Sequence, residues 1–534
     1  MNLVEFLKDL SQQNVELWLD GDKLRYRAAK EALTSTLLNK IKQHKTEIIN
    51  LLREHISASK FYPLTYGQQG LWFLYKLVPQ SAAYNIAFTA RIRSHLNIPA
   101  LQRAFQTLIG RHPTLRTTFG QRDAEPFQEV HEDQEVCFDE IDASNWNWDE
   151  LTTRVIEAYQ RPFDLEREPV LRVSLFTRSA QDYVLLLTIH HIAVDGFSFG
   201  ILLDELRLLY EADNTGRAIS LPPIKSQYRD FVQWQREMLA SPVGDNLWAY
   251  WQKQLAGNLP VLKLPTDRPR PPIQTYQGAS HTFELNQELT SKVREMAKAQ
   301  GATLYMTLLT AFQVLLYRYT GQEDIIVGCP IEGRSQPEFA ETVGFFVNML
   351  ALRVNLAGNS TFSALLSQVR QTVLNAIAHQ DYPSPLLIER LQVNRDPSLP
   401  GLFRVSFNLL KLGEMAQDYE LSVSNQTRTR KDWGGLALEP FVIPQQEGQN
   451  DIVLDMMEMS ESLLGIFRYN TDLFDATTIS RMASHFQILL EGIITNPGEQ
   501  IALLPLLTEA EQLDLLWKWN NNQVECPQTQ CIHQ

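Results

Sequence analysis

Two adjacent histidines at the end of an apolar run are the residues in this sequence best suited to proton transfer. His190 and His191 directly follow residues 183–189, and Asp195 and Gly196 come shortly afterwards. An imidazole takes or gives a proton near neutral pH, so a histidine here is a candidate general acid or base. The same spacing is compatible with a structural role, in which Asp195 caps a following helix. The pattern predicts a site and leaves its chemistry open.

The elements that would position these histidines belong to a large α/β protein. A chain of 534 residues exceeds what one hydrophobic core usually organises, so several domains are expected. The run 183–189 predicts a buried strand, a helix should begin near Ser198, and a strongly apolar helix is predicted over 302–319. Six prolines between residues 241 and 272 are predicted to interrupt regular structure and to mark an exposed crossing between two lobes. The two lobes could share an architecture.

A small separate unit is predicted at the N-terminus. Apolar residues at helical spacing in 1–10 predict a helix, and alternation on both sides of Asp20 and Gly21 predicts a β-hairpin. Residues 31–53 return to helical spacing with a break in the middle, which predicts two more helices. An αββαα unit of this size has a limited core, for which dimerisation is a common remedy.

Composition and charge exclude several classes of protein. The formal net charge of -14 disfavours nucleic-acid binding, because phosphate contacts need a basic surface. No export signal is visible, and the apolar runs are shorter than the roughly 20 residues that span a bilayer. Four scattered cysteines fit a reducing, cytoplasmic location. The spacing of Cys526, Cys531 and His533 matches no zinc site, so no metal centre is expected.

The pattern His-His-x-x-x-Asp-Gly at residues 190–196 resembles the signature of the condensation domains of nonribosomal peptide synthetases. This superfamily also includes chloramphenicol acetyltransferase-like enzymes. Six further segments resemble the other motifs of the family and occur in the family's order. They are Pro63–Trp72, Arg111–Phe119, Tyr228–Trp234, Val343–Arg353, His379–Pro383 and Arg395–Ser398.

The N-terminal unit resembles the docking domains of the TubC-like, helix-hairpin-helix-helix type that open many synthetase subunits. The similarity lies in residues 17–27 and in the helical segment that follows them. It implies that the hairpin edge receives the C-terminal tail of an upstream subunit by strand addition. Lys23, Arg25 and Arg27 alternate along the second strand and would present positive charge to an acidic tail. They could equally serve only to protect an exposed sheet edge from aggregation.

The resemblance also implies a domain organisation. The docking domain would occupy residues 1–56 and a linker 57–62. Two chloramphenicol acetyltransferase-like lobes, arranged as a V-shaped pseudodimer, would occupy 63–240 and 241–505. Residues 506–534 resemble the connection towards a downstream adenylation domain.

The same resemblance assigns roles to the residues of the signature. His191 would be the catalytic histidine, facing a tunnel in which two thioester-linked substrates meet. It would either remove the proton of the acceptor amine or stabilise the charged intermediate. His190 would support the loop. Gly196 would permit a tight turn and could offer its amide to the developing oxyanion.

Residues outside the signature are expected to support it. In the family, the acid of the signature pairs with an arginine of the second lobe, and Arg334 is the candidate partner of Asp195. Asn348 either lines the channel or hydrogen-bonds only with backbone. The sequences of segments 66–70 and 333–336 weakly resemble those of domains that accept a polyketide or another modified acyl donor.

The substrates implied by the resemblance arrive on the 4'-phosphopantetheine arms of donor and acceptor carrier proteins, so no tightly bound cofactor is expected. The sequence contains no Gly-x-Ser-x-Gly elbow, no phosphate-binding loop and no Cys-x-x-Cys pair. Heterocyclisation and epimerisation domains are disfavoured alternatives, the first because His190 and His191 are intact and the second because of the docking unit. A docking scaffold with an inactive or modifying condensation-like domain remains the alternative from another class.

Overall fold

The computed structural model describes residues 15–20, 23–28, 40–42, 44, 45, 48, 61–358, 360–393, 401–411, 430–445, 448–459 and 461–518. Near the N-terminus, Val15–Asp20 (β1) and Lys23–Ala28 (β2) form an antiparallel hairpin, as the sequence predicts. The register places Lys23 opposite Asp20 and Arg27 opposite Glu16. The helix predicted in residues 1–10, and most of the two predicted in 31–53, lie outside the described residues.

The first lobe contains a six-stranded sheet in the order β14-β15-β4-β9-β8-β7 and a small three-stranded sheet in the order β3-β6-β5. The strands are β3 (Phe61–Pro63), β4 (Asn85–Ile92), β5 (Thr117–Arg122), β6 (Glu125–Val130), β7 (Cys137–Asp142), β8 (Leu171–Ser179), β9 (Asp182–His190), β14 (Lys431–Trp433) and β15 (Leu436–Pro440). The helices are α1 (Tyr66–Leu77), α2 (Ile98–Arg111), α3 (Trp148–Gln160), α4 (Gly196–Thr215) and α5 (Tyr228–Leu239), with a 3-10 turn at Pro113–Arg116.

The second lobe contains another six-stranded sheet, in the order β10-β17-β16-β13-β11-β12. Its strands are β10 (Gly278–Leu285), β11 (Asp324–Ile331), β12 (Asn348–Asn355), β13 (Val405–Lys411), β16 (Ile452–Glu458) and β17 (Leu463–Asn470). Its helices are α6 (Pro242–Gln254), α7 (Gln287–Ala299), α8 (Leu304–Thr320), α9 (Phe362–Ala378), α10 (Ser384–Arg390), α11 (Ala476–Thr495) and α12 (Glu509–Leu513). A 3-10 turn lies at Pro337–Phe339 and a π-turn at Asp514–Lys518.

The prediction that prolines interrupt regular structure throughout 241–272 is wrong for residues 242–254. Helix α6 begins directly at Pro242, and the Ser241 hydroxyl accepts a hydrogen bond from the Val243 amide at 3.2 Å. Proline is favoured at the first helical position, because the amide hydrogen that it lacks would have no partner within the helix. Regular structure is interrupted only from residue 255 to residue 277.

The chain passes from the first hydrophobic core to the second near the predicted boundary at residues 240 and 241. Phe231 packs in the first core, whereas Met238 and Trp251 pack in the second. The assignment of the whole of 241–505 to the second lobe is nevertheless wrong, because β14 and β15 return to the first sheet. There β15 pairs antiparallel with β4. This crossover joins the two lobes through backbone hydrogen bonds.

The two lobes have the same arrangement of strands, a possibility that the sequence left open. Strands β4-β9-β8-β7 and β10-β17-β16-β13 have the same order and the same pattern of antiparallel and parallel pairs. In each lobe an aspartate, Asp195 or Asp475, lies at the N-cap of the helix that follows the second of these strands. Counting from the two strand ends places Thr471 at the position of His191. Only the first lobe therefore carries an imidazole at this place.

Within the described residues, no single helix combines the length and the apolar character that a membrane span requires; α7 and α8 meet the test only as a pair bent by 103°. The same residues contain no group of three or more His, Cys, Asp or Glu side chains that could hold a metal ion. The C-terminal residues Cys526, Cys531 and His533 lie outside them.

Candidate active site

The two histidines of the signature lie on opposite faces of the first sheet. Side chains alternate along a strand, and Leu187 packs with α2 and α4, whereas Leu186 packs with α3. His191 continues the face of Leu187, and His190 continues the face of Leu186. A sequence of two adjacent histidines therefore places only one imidazole on the side of α4.

The hydrogen bonds of His191 define the protonation of its ring. The backbone amide of His191 donates to the Tyr84 carbonyl at 2.8 Å, and its Nδ1 lies 2.7 Å from the Val194 carbonyl oxygen. A carbonyl oxygen can only accept, so Nδ1 carries the proton and Nε2 of the neutral ring holds a lone pair. Within the described residues Nε2 has no hydrogen-bond partner, and it is open to solvent. This nitrogen is available to a substrate.

The surroundings of His191 favour the neutral ring. Burial lowers the pKa of His191, and the hydrogen bond to Val194 and the charge of Asp195 oppose this only in part. The ring meets the edge of Phe345 at a centroid separation of 5.3 Å. Although the imidazole lies deep in the protein, its side chain is only half-buried, because it borders accessible space.

His190 lies in a different environment. It is 6% exposed, and its Nδ1 accepts a hydrogen bond from the Ile192 amide at 3.2 Å. Burial, with smaller contributions from His191 and Arg172, lowers the pKa of His190 to about 3. The ring is therefore uncharged at neutral pH and supports the loop that carries His191.

A buried ion pair holds the other end of this loop. Asp195 accepts hydrogen bonds from the amides of Ser198, at 2.8 Å, and Phe346, at 2.9 Å. Its two oxygens also bind Arg334, with Nη1 to Oδ2 at 2.8 Å and Nη2 to Oδ1 at 3.1 Å. The guanidinium lies over the rings of Phe346 and Phe197, at 4.2 and 4.7 Å from their centroids. This is the pairing that the resemblance implied.

Ser198 is a site residue that sequence reasoning did not single out. Its hydroxyl donates to the Gly344 carbonyl at 2.8 Å and receives hydrogen bonds from the Gly344 amide and from Arg334. The Tyr228 hydroxyl donates to the next carbonyl, that of Phe345, at 2.6 Å. Together they fix the segment that carries the ring beside His191. Tyr228 belongs to a recognised motif, but its position alone does not reveal this contact.

Gln68 is a second residue that sequence reasoning missed. From the first turn of α1 its Nε2 donates to the Ile192 carbonyl at 3.1 Å, and its Oε1 accepts from the Thr65 amide at 3.2 Å. The side chain is 1% exposed. Gln68 therefore ties the opening motif to the histidine loop. The only sequence signal was its place within that motif.

Asn348 makes the backbone contacts that were one of its two predicted roles. Its Nδ2 donates to the carbonyls of Gln380 and Tyr382, both at 2.8 Å. Its Oδ1 accepts from the amides of Met349, at 3.0 Å, and Ser384, at 2.9 Å. These contacts fasten the turn at 380–384 to the start of β12, and whether Asn348 also lines the channel stays a prediction.

Gly196 is the first residue of α4 and is exposed to solvent. The prediction that it permits a tight turn is wrong, since its backbone does not lie in the left-handed region. A Cβ added there would meet no atom of the described chain within 4 Å. Glycine is thus not required by the fold at this position, and it leaves open the space at the start of α4.

The charged residues predicted to bind a partner tail lie on β2. Lys23, Arg25 and Arg27 occupy alternate positions of that strand, which pairs with β1 in a sheet of two described strands. They are far along the chain from the histidine loop, so the docking role predicted for them is separate from the chemistry predicted for His191.

Two family descriptions match the chain. Residues 58–516 match the description "Condensation domain", and residues 3–54 match "TubC N-terminal docking domain". Gramicidin S synthase 2 of Aneurinibacillus migulanus is 34% identical over 479 residues, which are 90% of this chain and 10% of that protein. Bacitracin synthase 2 of Bacillus licheniformis is 32% identical over 544 residues, or 100% of this chain and 20% of that protein. The chain spans a small part of the length of these relatives.

Solved structures share the fold. A four-domain nonribosomal peptide synthetase, holo-AB3403 bound to AMP and glycine, superposes with a TM-score of 0.78 and 25% identity, over 85% of this chain and 34% of that one. The starter condensation domain of rhizomide synthetase, in complex with C8-CoA, gives a TM-score of 0.70 at 20% identity, over 84% and 98% of the two chains. The predicted α/β fold with chloramphenicol acetyltransferase-like lobes is confirmed.

Proposed function

Because this chain belongs to the condensation-domain family of nonribosomal peptide synthetases and carries a TubC-type docking domain, we propose that it joins two carrier-bound substrates through an amide bond. The donor is an acyl or peptidyl thioester, and the acceptor is an aminoacyl thioester. The observation that supports this most is the neutral His191, whose Nε2 lone pair is free among the described residues and borders accessible space.

The reaction follows from that lone pair. A neutral Nε2 can only accept a hydrogen bond, so His191 orients the acceptor amine through its N–H. As the amine nitrogen attacks the donor carbonyl carbon, the C–N bond forms and the carbonyl electrons move to oxygen. Nε2 then takes the proton of the positive nitrogen, or shares it while the intermediate collapses. The carbonyl then re-forms, the C–S bond breaks with its electrons on sulfur, and the proton passes to the departing thiolate to give the free thiol.

Other residues of the signature support His191. The Asp195 carboxylate already accepts hydrogen bonds from two backbone amides and from a guanidinium, so it holds the loop and the start of α4. Arg334 anchors that carboxylate from the second lobe. His190 is neutral and secures the strand end. The amide of Gly196, in the first turn of α4, is a donor that can reach the developing oxyanion.

The substrates require no resident cofactor in this proposal. Each would be held by a 4'-phosphopantetheine arm of a donor or acceptor carrier protein, in a cytoplasmic assembly. The docking domain, residues 1–56, would recruit the C-terminal tail of an upstream subunit, with Lys23, Arg25 and Arg27 facing acidic residues of that tail. A homodimer of this domain would enlarge its small core. Residues 57–62 would link it to the lobes, and 506–534 would lead to an adenylation domain.

Reconstitution with loaded donor and acceptor carriers tests the function. The native chain should yield the condensed product on the acceptor carrier, read by intact mass, and His191→Ala should slow its formation about 10²- to 10⁴-fold. His95→Ala removes an exposed imidazole of the same lobe and should leave the rate of product formation unchanged. Equal rates for native chain and His191→Ala would remove the role of His191. No product at all would favour the scaffold alternative.

The donor is identified by the same assay. A panel of L-aminoacyl, D-aminoacyl and polyketide-type donors offered to the native chain separates peptide from hybrid synthesis. Transfer from only a polyketide-type donor would support the resemblance noted in segments 66–70 and 333–336. Change in donor stereochemistry without transfer would support a modifying domain instead.

A further inference from the structure

We propose that Tyr84 is a further catalytic residue, whose phenol hydroxyl donates a hydrogen bond to the carbonyl oxygen of the thioester under attack. The inference rests on the proposed function and adds to it a donor that the signature does not contain. Three observations support it: Tyr84 lies beside His191, its hydroxyl has no partner among the described residues, and the surrounding backbone holds it in place.

Tyr84 and His191 lie directly opposite each other at the end of the first sheet. The pairing of β4 with β9 ends at Asn85 and His190, and the hydrogen bond from the His191 amide to the Tyr84 carbonyl, at 2.8 Å, extends it by one residue. Residues directly opposite in an antiparallel pair project to the same face, with Cβ atoms about 4.5–5.5 Å apart. Tyr84 also packs against the core that Leu187 enters, which is the face of His191.

The Tyr84 hydroxyl is a donor with no hydrogen-bond partner among the described residues. In the part of the chain that the structure describes it makes no hydrogen bond, and it is not closed off from solvent. Burial raises the pKa of Tyr84, so the phenol keeps its proton in the neutral range. Tyr84 shares with His191 the combination of a deep position and a half-buried side chain. Both residues are thus partly open to solvent at the same end of the first sheet.

The second lobe holds another tyrosine close to this place. Tyr276 lies near enough to Tyr84 for its phenol to raise the pKa of Tyr84 further. Its backbone has a φ of 56°, a left-handed conformation that a bulky residue keeps only where its surroundings impose it. Gly448 packs so closely that a Cβ there would lie 2.7 Å from the Tyr276 carbonyl carbon, and the neighbouring Gln449 binds the Ala83 carbonyl at 2.6 Å. The segment near 448 therefore holds both tyrosines in place.

The chemistry of the step assigns the hydroxyl to the carbonyl oxygen. When the amine attacks, negative charge develops on that oxygen while Nε2 of His191 accepts the N–H. A protonated phenol on the same face can donate to this oxygen, and it keeps its own proton throughout, so the balance of the reaction is unchanged. A preorganised donor of this kind contributes most when charge develops in a site shielded from water.

Tyr84→Phe tests the inference, because it removes the hydroxyl and keeps the ring. Single-turnover condensation with saturating loaded carriers should slow by about 10²- to 10³-fold, with the apparent KM for each carrier and the Tm unchanged. Tyr210→Phe is the matched control. It removes a hydroxyl from the same lobe that accepts a hydrogen bond from the Asn97 amide at 3.3 Å. This variant should leave the condensation rate unchanged.

A second substitution tests the acidity of the phenol. With 3,5-difluorotyrosine at position 84, ionisation occurs at lower pH and removes the donor, so the alkaline fall in rate should begin at lower pH than in the native chain. If Tyr84 acted only by packing, the fluorinated residue would not change the pH at which the rate falls on the alkaline side. The fluorinated chain keeps the size of tyrosine, and so remains informative if Tyr84→Phe folds poorly.

The outcomes separate this inference from the function on which it rests. A native rate in Tyr84→Phe together with an unmoved alkaline limb would overturn the role of Tyr84 and leave condensation intact. Slowing by Tyr276→Phe alone would overturn it as well, because the donor would then belong to the second lobe. Absence of product from the native chain would overturn both proposals.

Discussion

Arg334 of the second lobe binds Asp195 of the first through two hydrogen bonds, of 2.8 and 3.1 Å, where each side chain is only 4% exposed. Asp195 is at the same time the N-cap of α4 and the end of the loop that starts at His191. One carboxylate therefore joins the two lobes, begins a helix and fixes the imidazole. A change at this ion pair should affect stability and rate together.

Asp195→Ala should lower the free energy of unfolding by about 3–5 kcal/mol, because it leaves the Arg334 guanidinium buried without its partner. It should also slow condensation, since the His191 loop loses its anchor. Urea unfolding measures the first effect and single-turnover assays the second. Asp213→Ala removes the partner of Arg103 in an exposed ion pair, so it should leave the free energy of unfolding nearly unchanged. An unchanged Tm in Asp195→Ala would contradict this account of the pair.

The free energy of unfolding should decrease as the pH is lowered, because of His190. Its folded pKa is about 3, whereas an exposed histidine titrates near 6.5, so between these values only the unfolded chain binds the proton. Stability is therefore retained above pH 6.5 and is lost as pH falls below it, at up to about 1.4 kcal/mol per pH unit. His190→Asn keeps an acceptor for the Ile192 amide and should remove this slope in urea unfolding between pH 7 and pH 5. Parallel slopes for the two chains would assign the effect to other groups.

The rate of condensation should report the pKa of His191. Because burial lowers that pKa, the neutral ring persists to lower pH than in an exposed histidine, and the acid limb of the rate profile should have its midpoint below 6.5. Single-turnover rates between pH 5 and pH 8 give this midpoint. Asp195→Asn removes a charge that favours the imidazolium and should move the limb to still lower pH. A limb above 6.5 would mean that a different group titrates.

Two glycines near the site should respond in opposite ways to alanine. A Cβ at Gly344 would lie 1.9 Å from the Tyr228 ring, and that ring holds the Phe345 carbonyl. Gly344→Ala should therefore destabilise the fold by more than about 3 kcal/mol or prevent expression of a folded chain. A Cβ at Gly196 meets no atom of the described chain within 4 Å, so Gly196→Ala should keep its Tm. Equal melting temperatures for the two variants would show that the 344–346 segment can relax.

Much of the site could be predicted because its pattern is local. The end of a strand, a five-residue loop and a helix cap are neighbours in sequence, so the spacing from His190 to Asp195 was sufficient to predict them. The hairpin at Asp20 was predictable for the same reason. Local composition was misleading at Pro242, where a residue that interrupts helices in their interior begins one instead.

The sequence by itself determined the order of strands and helices around His191, the acid that caps α4 and the family to which these motifs belong, because each depends on residues close together in the chain. Only the tertiary structure decided that Arg334 reaches Asp195 across 139 positions, that Gln68 binds the Ile192 carbonyl and that β15 returns to the first sheet. These contacts join segments far apart in sequence, and their geometry arises when the two lobes pack together. The same packing brings Tyr84 beside His191.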